Sequence, residues 1–119
     1  MVNKKMLGNV GEEISSKYLK QIGYKIIERN FACRQGEIDI IAKDKDEYVF
    51  IEVKTRSNLL FGKPKEAVNY YKKKHILKST KYYLYIHKLN KCFIRFDIIE
   101  IYFKNHKYSL NHLKNVEIK

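Results

Sequence analysis

With 119 residues, 45% of them hydrophobic, the chain has room for one domain with a real core, which excludes a multidomain assembly and a disordered polymer. Lys and Arg number 25 against 13 Asp and Glu, a net charge of +12 that favours a polyanionic partner, nucleic acid first. Residues 1–5 lead into no secretory apolar region and no run could span a bilayer. With Cys33 and Cys92 far apart, a cytoplasmic protein with two free thiols and no membrane partner is expected. His75, His87, His106 and His112 do not give these cysteines the tight spacing of a structural zinc site.

The N-terminal stretch reads as a helix. Val10, Ile14, Tyr18 and Ile22 recur every fourth residue with Leu7 and Leu19 beside them, and Gly23 sits where a C-cap glycine belongs. Residues 24–27 can form a short first strand, and 30–35 a weakly apolar connection that Gly36 closes. Residues 37–42 read as a second strand, 43–46 as a charged turn, and 47–55 as a third strand rich in β-branched and aromatic residues. The short turn makes strands two and three an antiparallel hairpin. Residues 56–64 form a loop, with Pro64 at or just before the first turn of a second helix that runs to about Tyr85. Its expected core contacts are Ala67, Val68, Tyr71, Leu77 and Leu84, with Lys74, Lys78 and Lys81 on one face. After a turn at Asn90-Lys91, residues 92–102 alternate as a strand, and Asn105-His106 can turn into a last strand, 108–113. The expected order is α-β-β-β-α-β(-β) in a single domain, 1–119: an α/β fold with a mixed β-sheet flanked by helices.

Carboxylates interrupt the hydrophobic strands in an informative way. Val49, Ile51 and Val53 share one strand face, and Glu52 and Lys54 the other; in the partner strand Glu37 and Asp39 share a face opposite Ile38 and Ile40. Pairing through the turn can set Asp39 beside Glu52. Two close carboxylates repel, and a divalent cation relieves the repulsion; Mg²⁺ needs only one or two carboxylates because it keeps several waters. Lys54 beside such an ion could orient water, hold a phosphate or stabilise developing charge. An isolated Glu-x-Lys is more often a surface ion pair worth little, so the Asp-bearing strand beside it is what raises the pair to a candidate site.

Gly8-Asn9-Val10-Gly11-Glu12, Arg29-Asn30-Phe31, Gly36-Glu37-Ile38-Asp39-Ile40-Ile41 and Phe50-Ile51-Glu52-Val53-Lys54-Thr55-Arg56 resemble the ordered motifs of the YraN-like bacterial family. Phe61-Gly62, Lys72 and Arg95-Phe96-Asp97 follow in matching order. That family is similar to archaeal Holliday junction resolvases and other PD-(D/E)XK nucleases. The resemblance implies a restriction-endonuclease-like core, with Asp39 at the first acidic position (Ile38 replacing the proline), Glu52 and Lys54 as the (D/E)XK pair, and Glu12 as the first-helix glutamate.

The expectation is a metal-dependent endonuclease-like protein acting on DNA. Mg²⁺ (or Mn²⁺) would be held by Asp39, Glu52 and the Val53 carbonyl, with Glu12 completing the acidic cluster and Lys54 assisting. Arg56, Lys72 and Lys74 are the candidate nucleic-acid contacts. A non-catalytic nucleic-acid-binding module with a nuclease fold is the alternative, and a protein whose charge serves a protein or ribosomal partner is a third. A junction-cleaving enzyme needs two sites related by a two-fold axis, so a homodimer stays open.

Other residues carry structural expectations. Glu37 is either a supporting carboxylate or a partner for Arg34 or Arg56. Arg95 and Asp97 are expected to make structural contacts, and Gly8, Gly11 and Gly36 to relieve crowding near the acids. Tyr70, Tyr71, Tyr82, Tyr83 and Tyr85 are expected to pack rather than stack on bases.

Overall fold

The computed structural model describes residues 4–57 and 70–118, without the side chains of residues 4 and 70–74. Phe61-Gly62, Pro64, Ala67 and Val68, and the side chain of Tyr71, lie outside that description. The elements are α1 (Lys4–Gln21), β1 (Lys25–Cys33), β2 (Gly36–Asp44), β3 (Glu47–Ser57), α2 (Tyr70–Ile86), β4 (Phe93–Lys104) and β5 (Lys107–Leu113). The strands form one sheet in the order β1-β2-β3-β4-β5. Only β3 and β4, joined through α2, pair in parallel; the other three pairs are antiparallel. The crossover is what makes the sheet mixed.

Successive residues of β3 point to opposite faces. Val49 and Ile51 enter a core with Leu19 of α1, Ile40, Ala42, Ile99 and Ile101. Phe50 enters a second core with Tyr83 of α2, Phe31, Ile38 and Ile41. One helix therefore seals each face. Helix α1 ends in a Schellman motif: Tyr24 N–H donates to Leu19 O at 2.9 Å and Gly23 N–H to Lys20 O at 3.1 Å, with Gly23 at φ 98°. Helix α2 ends the same way, with Lys88 at φ 55° in the glycine's place and Leu89 N–H reaching Leu84 O at 2.8 Å. Asn105 and His106, at φ 51° and 62°, make the two-residue turn between β4 and β5.

Several expectations are corrected here. Val10 and Ile22 are exposed, and the stripe of α1 against the sheet is Leu7, Gly11, Ser15 and Leu19, with Ser16. The helix lies close on the sheet through small residues that a hydropathy count passes over, and Ile22 falls beyond the helix end. β1 extends to Cys33, into the segment expected to be a connection, of which only Arg34 and Gln35 form the turn. Ile38 and Ile40 do not share a face: they lie in different cores. Gly8 has nothing near its would-be Cβ and relieves no crowding.

Arg95 and Asp97 form a buried network that ties β5 and the chain beyond it to the sheet. The Arg95 guanidinium donates to both Asp97 carboxylate oxygens at 3.0 Å, to Asp44 at 3.0 Å, to Glu47 at 3.2 Å, and to the Tyr24 hydroxyl. Asp97 Oδ2 also meets His112 Nε2 at 2.7 Å, and Oδ1 accepts the Asn115 N–H at 3.0 Å. His112 Nδ1 lies 2.9 Å from the Tyr18 hydroxyl. Burial alone would raise the Asp97 carboxyl, but its bonds from His112, Arg95 and Asn115 outweigh burial and hold it at about 2. Burial and the Asp97 charge push the Tyr24 hydroxyl up to about 12.

Candidate functional site

The acidic site grows out of an interruption in the sheet. Between the β1–β2 pairs Arg29↔Ile40 and Phe31↔Ile38 stand Asn30 and Asp39, which are not paired. Asn30 takes the left-handed conformation at φ 54°, which asparagine tolerates better than most residues. Across this interruption Ile40 and Ile38 of β2 fall on opposite faces. On the other flank the β2–β3 ladder runs from Asp44↔Glu47 to Ile40↔Ile51 and stops. The next rung would set Asp39 opposite Glu52. Instead Val53 N–H donates to Asp39 Oδ2 at 2.8 Å, so a side-chain carboxylate takes the place of a backbone carbonyl.

Around that bond the expected residues fall as follows. Glu52 is buried, 7% exposed, next to Val53 in the chain. By alternation from Phe50, Glu52, Lys54 and Arg56 lie on the α2 side of β3, whereas Val53 and Thr55 face α1. Lys54 and Arg56 are half-buried. In a strand the N–H and C=O of one residue point to the same flank, so the Val53 carbonyl also faces β2. Thr55 lies so close to α1 that a Cβ on Gly11 would collide with its Oγ1. That approach brings the neighbouring Glu12 to the Asn30 side chain, with which it hydrogen-bonds. Burial raises the Glu12 carboxyl; the Asn30 bond and Arg29 pull it down, and the like charge of Glu37 adds to the rise. Glu37 is thus electrostatically coupled to the acidic line. The Arg29 guanidinium is anchored at 2.9 Å on Glu13, one residue further along α1.

The structure therefore bonds Asp39 to Val53, beside Glu52 in the chain, with Lys54 and Arg56 on the Glu52 face, whereas Glu12 stays on α1, against the other face, bonded to Asn30, and does not complete a cluster of three acids. The side chains of Lys72 and Lys74 lie outside the described residues. The sequence marks Asn30 only as part of a motif, although asparagine is one of the few residue types that tolerate the left-handed backbone it adopts.

The donor set suits a hard cation: two carboxylates, one of them buried, and a main-chain carbonyl on the same flank. Among the described residues no three His, Cys, Asp or Glu side chains are grouped to hold a metal ion. A site here would use those two carboxylates and the carbonyl, with water completing the shell. An open cleft of about 620 Å³ lies elsewhere, at the β2–β3 turn, lined by Tyr18, Tyr24, Asp44, Glu47 and Lys114. Asp44 and Glu47 there are engaged by Arg95, and Asp46 lines the same cleft.

Fold and site together define a mixed α/β domain with an acid pair where two strands part. Residues 11–101 match the model of the uncharacterised protein family UPF0102, and the chain belongs to that family. Among its relatives, a UPF0102 protein of Caldicellulosiruptor saccharolyticus is 45% identical over 96% of this chain and 98% of its own length. One from Clostridium perfringens strain SM101 is 52% identical over 93% of each chain, and one from Caldanaerobacter subterraneus is 47% identical over 96% of each. No described helix is long and apolar enough to cross a membrane.

Proposed function

We propose that the chain is a metal-dependent phosphodiesterase of the PD-(D/E)XK kind, with a restriction-endonuclease-like core, acting on DNA. The observation that carries this reading is the end of the β2–β3 ladder, where Asp39 caps the Val53 N–H beside the buried Glu52. A regular hairpin would have continued its backbone pairing through that rung; acids there need a reason of their own. Mg²⁺ or Mn²⁺ would be held by Asp39, Glu52 and the Val53 carbonyl, and when bound it supplies Lewis-acid polarisation and a water of lowered pKa. Lys54, on the Glu52 face, holds a phosphate oxygen and balances the charge that develops there. Arg56, two residues on and pointing the same way, engages a neighbouring phosphate. Glu12, whose carboxyl burial raises above its ordinary value, acts through its hydrogen bond to Asn30 and does not have to touch the cation. The net charge of +12 supplies general attraction for the polyanion.

The test is cleavage of single-stranded, duplex and branched DNA with each metal, comparing the parent chain with Asp39→Asn, Glu52→Gln and Lys54→Met. Loss of turnover in all three, by about 100-fold or more, is expected. Cleavage that survives in a chain carrying both acid substitutions would overturn the site. Salt-sensitive DNA binding with no turnover under either metal would mark a binding module instead.

A further inference from the structure

The net charge is not spread evenly along the chain. Residues 67–96 contain no Asp or Glu, against seven Lys and one Arg, so a quarter of the sequence supplies eight of the twelve net positive charges. Arg95 is consumed in its ion pairs with Asp97, Asp44 and Glu47. The lysines are left to α2 and the chain that follows it.

The inner face of α2 is settled: Ile76, Ser79, Thr80 and Tyr83 are buried against the sheet. Lys78, Lys81, Tyr82 and Tyr85 follow one another at spacings of three, one and three and share the opposite, exposed side. Tyr83 packs as expected, on Phe31 and Phe50. Tyr82 keeps one side near the Phe31 ring, at 6.4 Å between centroids, and is 41% exposed, whereas Tyr85 departs from that expectation at 79% exposed. Two tyrosine rings interleaved with lysines, with no acid on the helix, match the two things an unpaired nucleic-acid strand offers, phosphates and bare base faces. A membrane surface fits less well: an interfacial helix turns a continuous apolar face outward, whereas the apolar face of α2 is already in the core.

The helix lies on the same side of the sheet as the acidic site, with the stripe along its outer surface. It covers the sheet face that carries Glu52 and Lys54, and its His75 and Ser79 crowd Gly36 at the start of β2, three residues before Asp39. From Lys78 to Tyr85 the stripe runs about 10 Å along the axis, enough for roughly three stacked nucleotides.

We infer that the outer stripe of α2, Lys78, Lys81, Tyr82 and Tyr85, is a docking surface for single-stranded DNA. The inference deepens the phosphodiesterase reading by naming an unpaired strand as the substrate class. Binding to the stripe does not require the acidic site, so the two can fail separately.

The experiment is fluorescence anisotropy with a labelled short oligodeoxythymidylate in metal-free buffer, on the full chain carrying Asp39→Asn and Glu52→Gln so that nothing is cleaved. Tyr85→Ala is expected to weaken binding about 5- to 100-fold, with Tyr85→Phe restoring it, because the ring and not the hydroxyl stacks. Lys78→Gln with Lys81→Gln is expected to weaken binding and to lower the slope of log affinity against log salt by about 1.4. The same Tyr85→Ala change should leave affinity for a duplex of equal length within about twofold, since paired bases cannot be stacked on. Unchanged melting by circular dichroism checks that the exposed substitutions leave the fold intact. Parent-like binding of the oligonucleotide by a Tyr82→Ala, Tyr85→Ala chain would overturn the inference. So would equal losses on single strand and duplex, or binding of RNA or anionic vesicles but not DNA. An intact stripe effect in a chain whose parent cleaves nothing would defeat the phosphodiesterase reading alone.

Discussion

Gly11→Ala isolates the contact that seats α1 on the sheet. Gly11 is interior to Lys4–Gln21, where alanine is worth about 1 kcal/mol over glycine in helix propensity. Its new Cβ would meet Thr55 Oγ1 at a separation no real pair adopts. Thr55 is β-branched, so two of its three rotamers set a heavy atom against the helix, and relief requires a strained side chain or a lifted helix. Overpacking of that kind costs about 1–3 kcal/mol, which leaves a net loss of up to about 2 kcal/mol. With Thr55→Ala the nearest remaining atom is the Thr55 Cβ, at 3.4 Å, an ordinary contact. In that background the same Gly11→Ala change should stabilise by up to about 1 kcal/mol. The assay is urea unfolding of the four chains of the double-mutant cycle, with constant m-values as the check on two-state behaviour. A coupling below about 0.5 kcal/mol, or a stabilising Gly11→Ala in the parent chain, would refute the close approach.

Asp97 has its carboxyl at about 2 against an ordinary 3.8, so its contribution is fully present above pH 4 and is lost as pH falls through about 2. It amounts to about 2 kcal/mol, and urea unfolding between pH 5 and 2 should show a shallower acid limb for Asp97→Asn than for the parent. His106→Gly, which places Asn-Gly in the β4–β5 turn at two left-handed positions, should stabilise by about 0.5–1 kcal/mol and raise the melting temperature by a few degrees in a calorimetric scan. Asp39→Asn keeps an oxygen to accept the Val53 N–H and should unfold within about 1 kcal/mol of the parent, whereas Asp39→Ala should cost about 1–3 kcal/mol. Isothermal calorimetry should show both variants losing Mg²⁺ or Mn²⁺ binding; retention in either would contradict the ligand assignment.

The β2–β3 hairpin, the parallel crossover through α2 and the Asn105-His106 turn were all legible, because alternation and turn chemistry are local. The same alternation put Asp39 opposite Glu52, whereas the ladder stops one rung short and the Asp39 carboxylate meets the Val53 N–H instead. What escaped the sequence was non-local. The sheet-facing stripe of α1 is written in Gly11, Ser15 and Ser16, whose value is their small size against β3, not their hydropathy. The connection expected from Asn30 belongs in fact to β1 as far as Cys33, where Glu12 holds Asn30 and Glu13 anchors the neighbouring Arg29. The Arg95 network draws on Tyr24, Asp44, Glu47 and His112, up to 71 residues away, and the motif alone named two of its members.

The left-handed Asn30 and the Asp39–Val53 bond are two halves of one irregularity. Had β2 kept a regular register, Ile38 and Ile40 would lie on one face, and the α2-side core would lose a residue that packs with Phe31. With Ile38 and Ile40 held in opposite cores, Asp39 between them meets β3 through the Val53 N–H, so the hydrophobic packing on both faces helps fix the direction of the carboxylate. An orientation set by buried apolar side chains would leave less to reorganise if a cation bound there, as proposed. It also makes Asn30 more than a bond partner for Glu12. A residue that resists the left-handed region there would draw Asp39 away from Val53 while leaving every acid in the sequence intact.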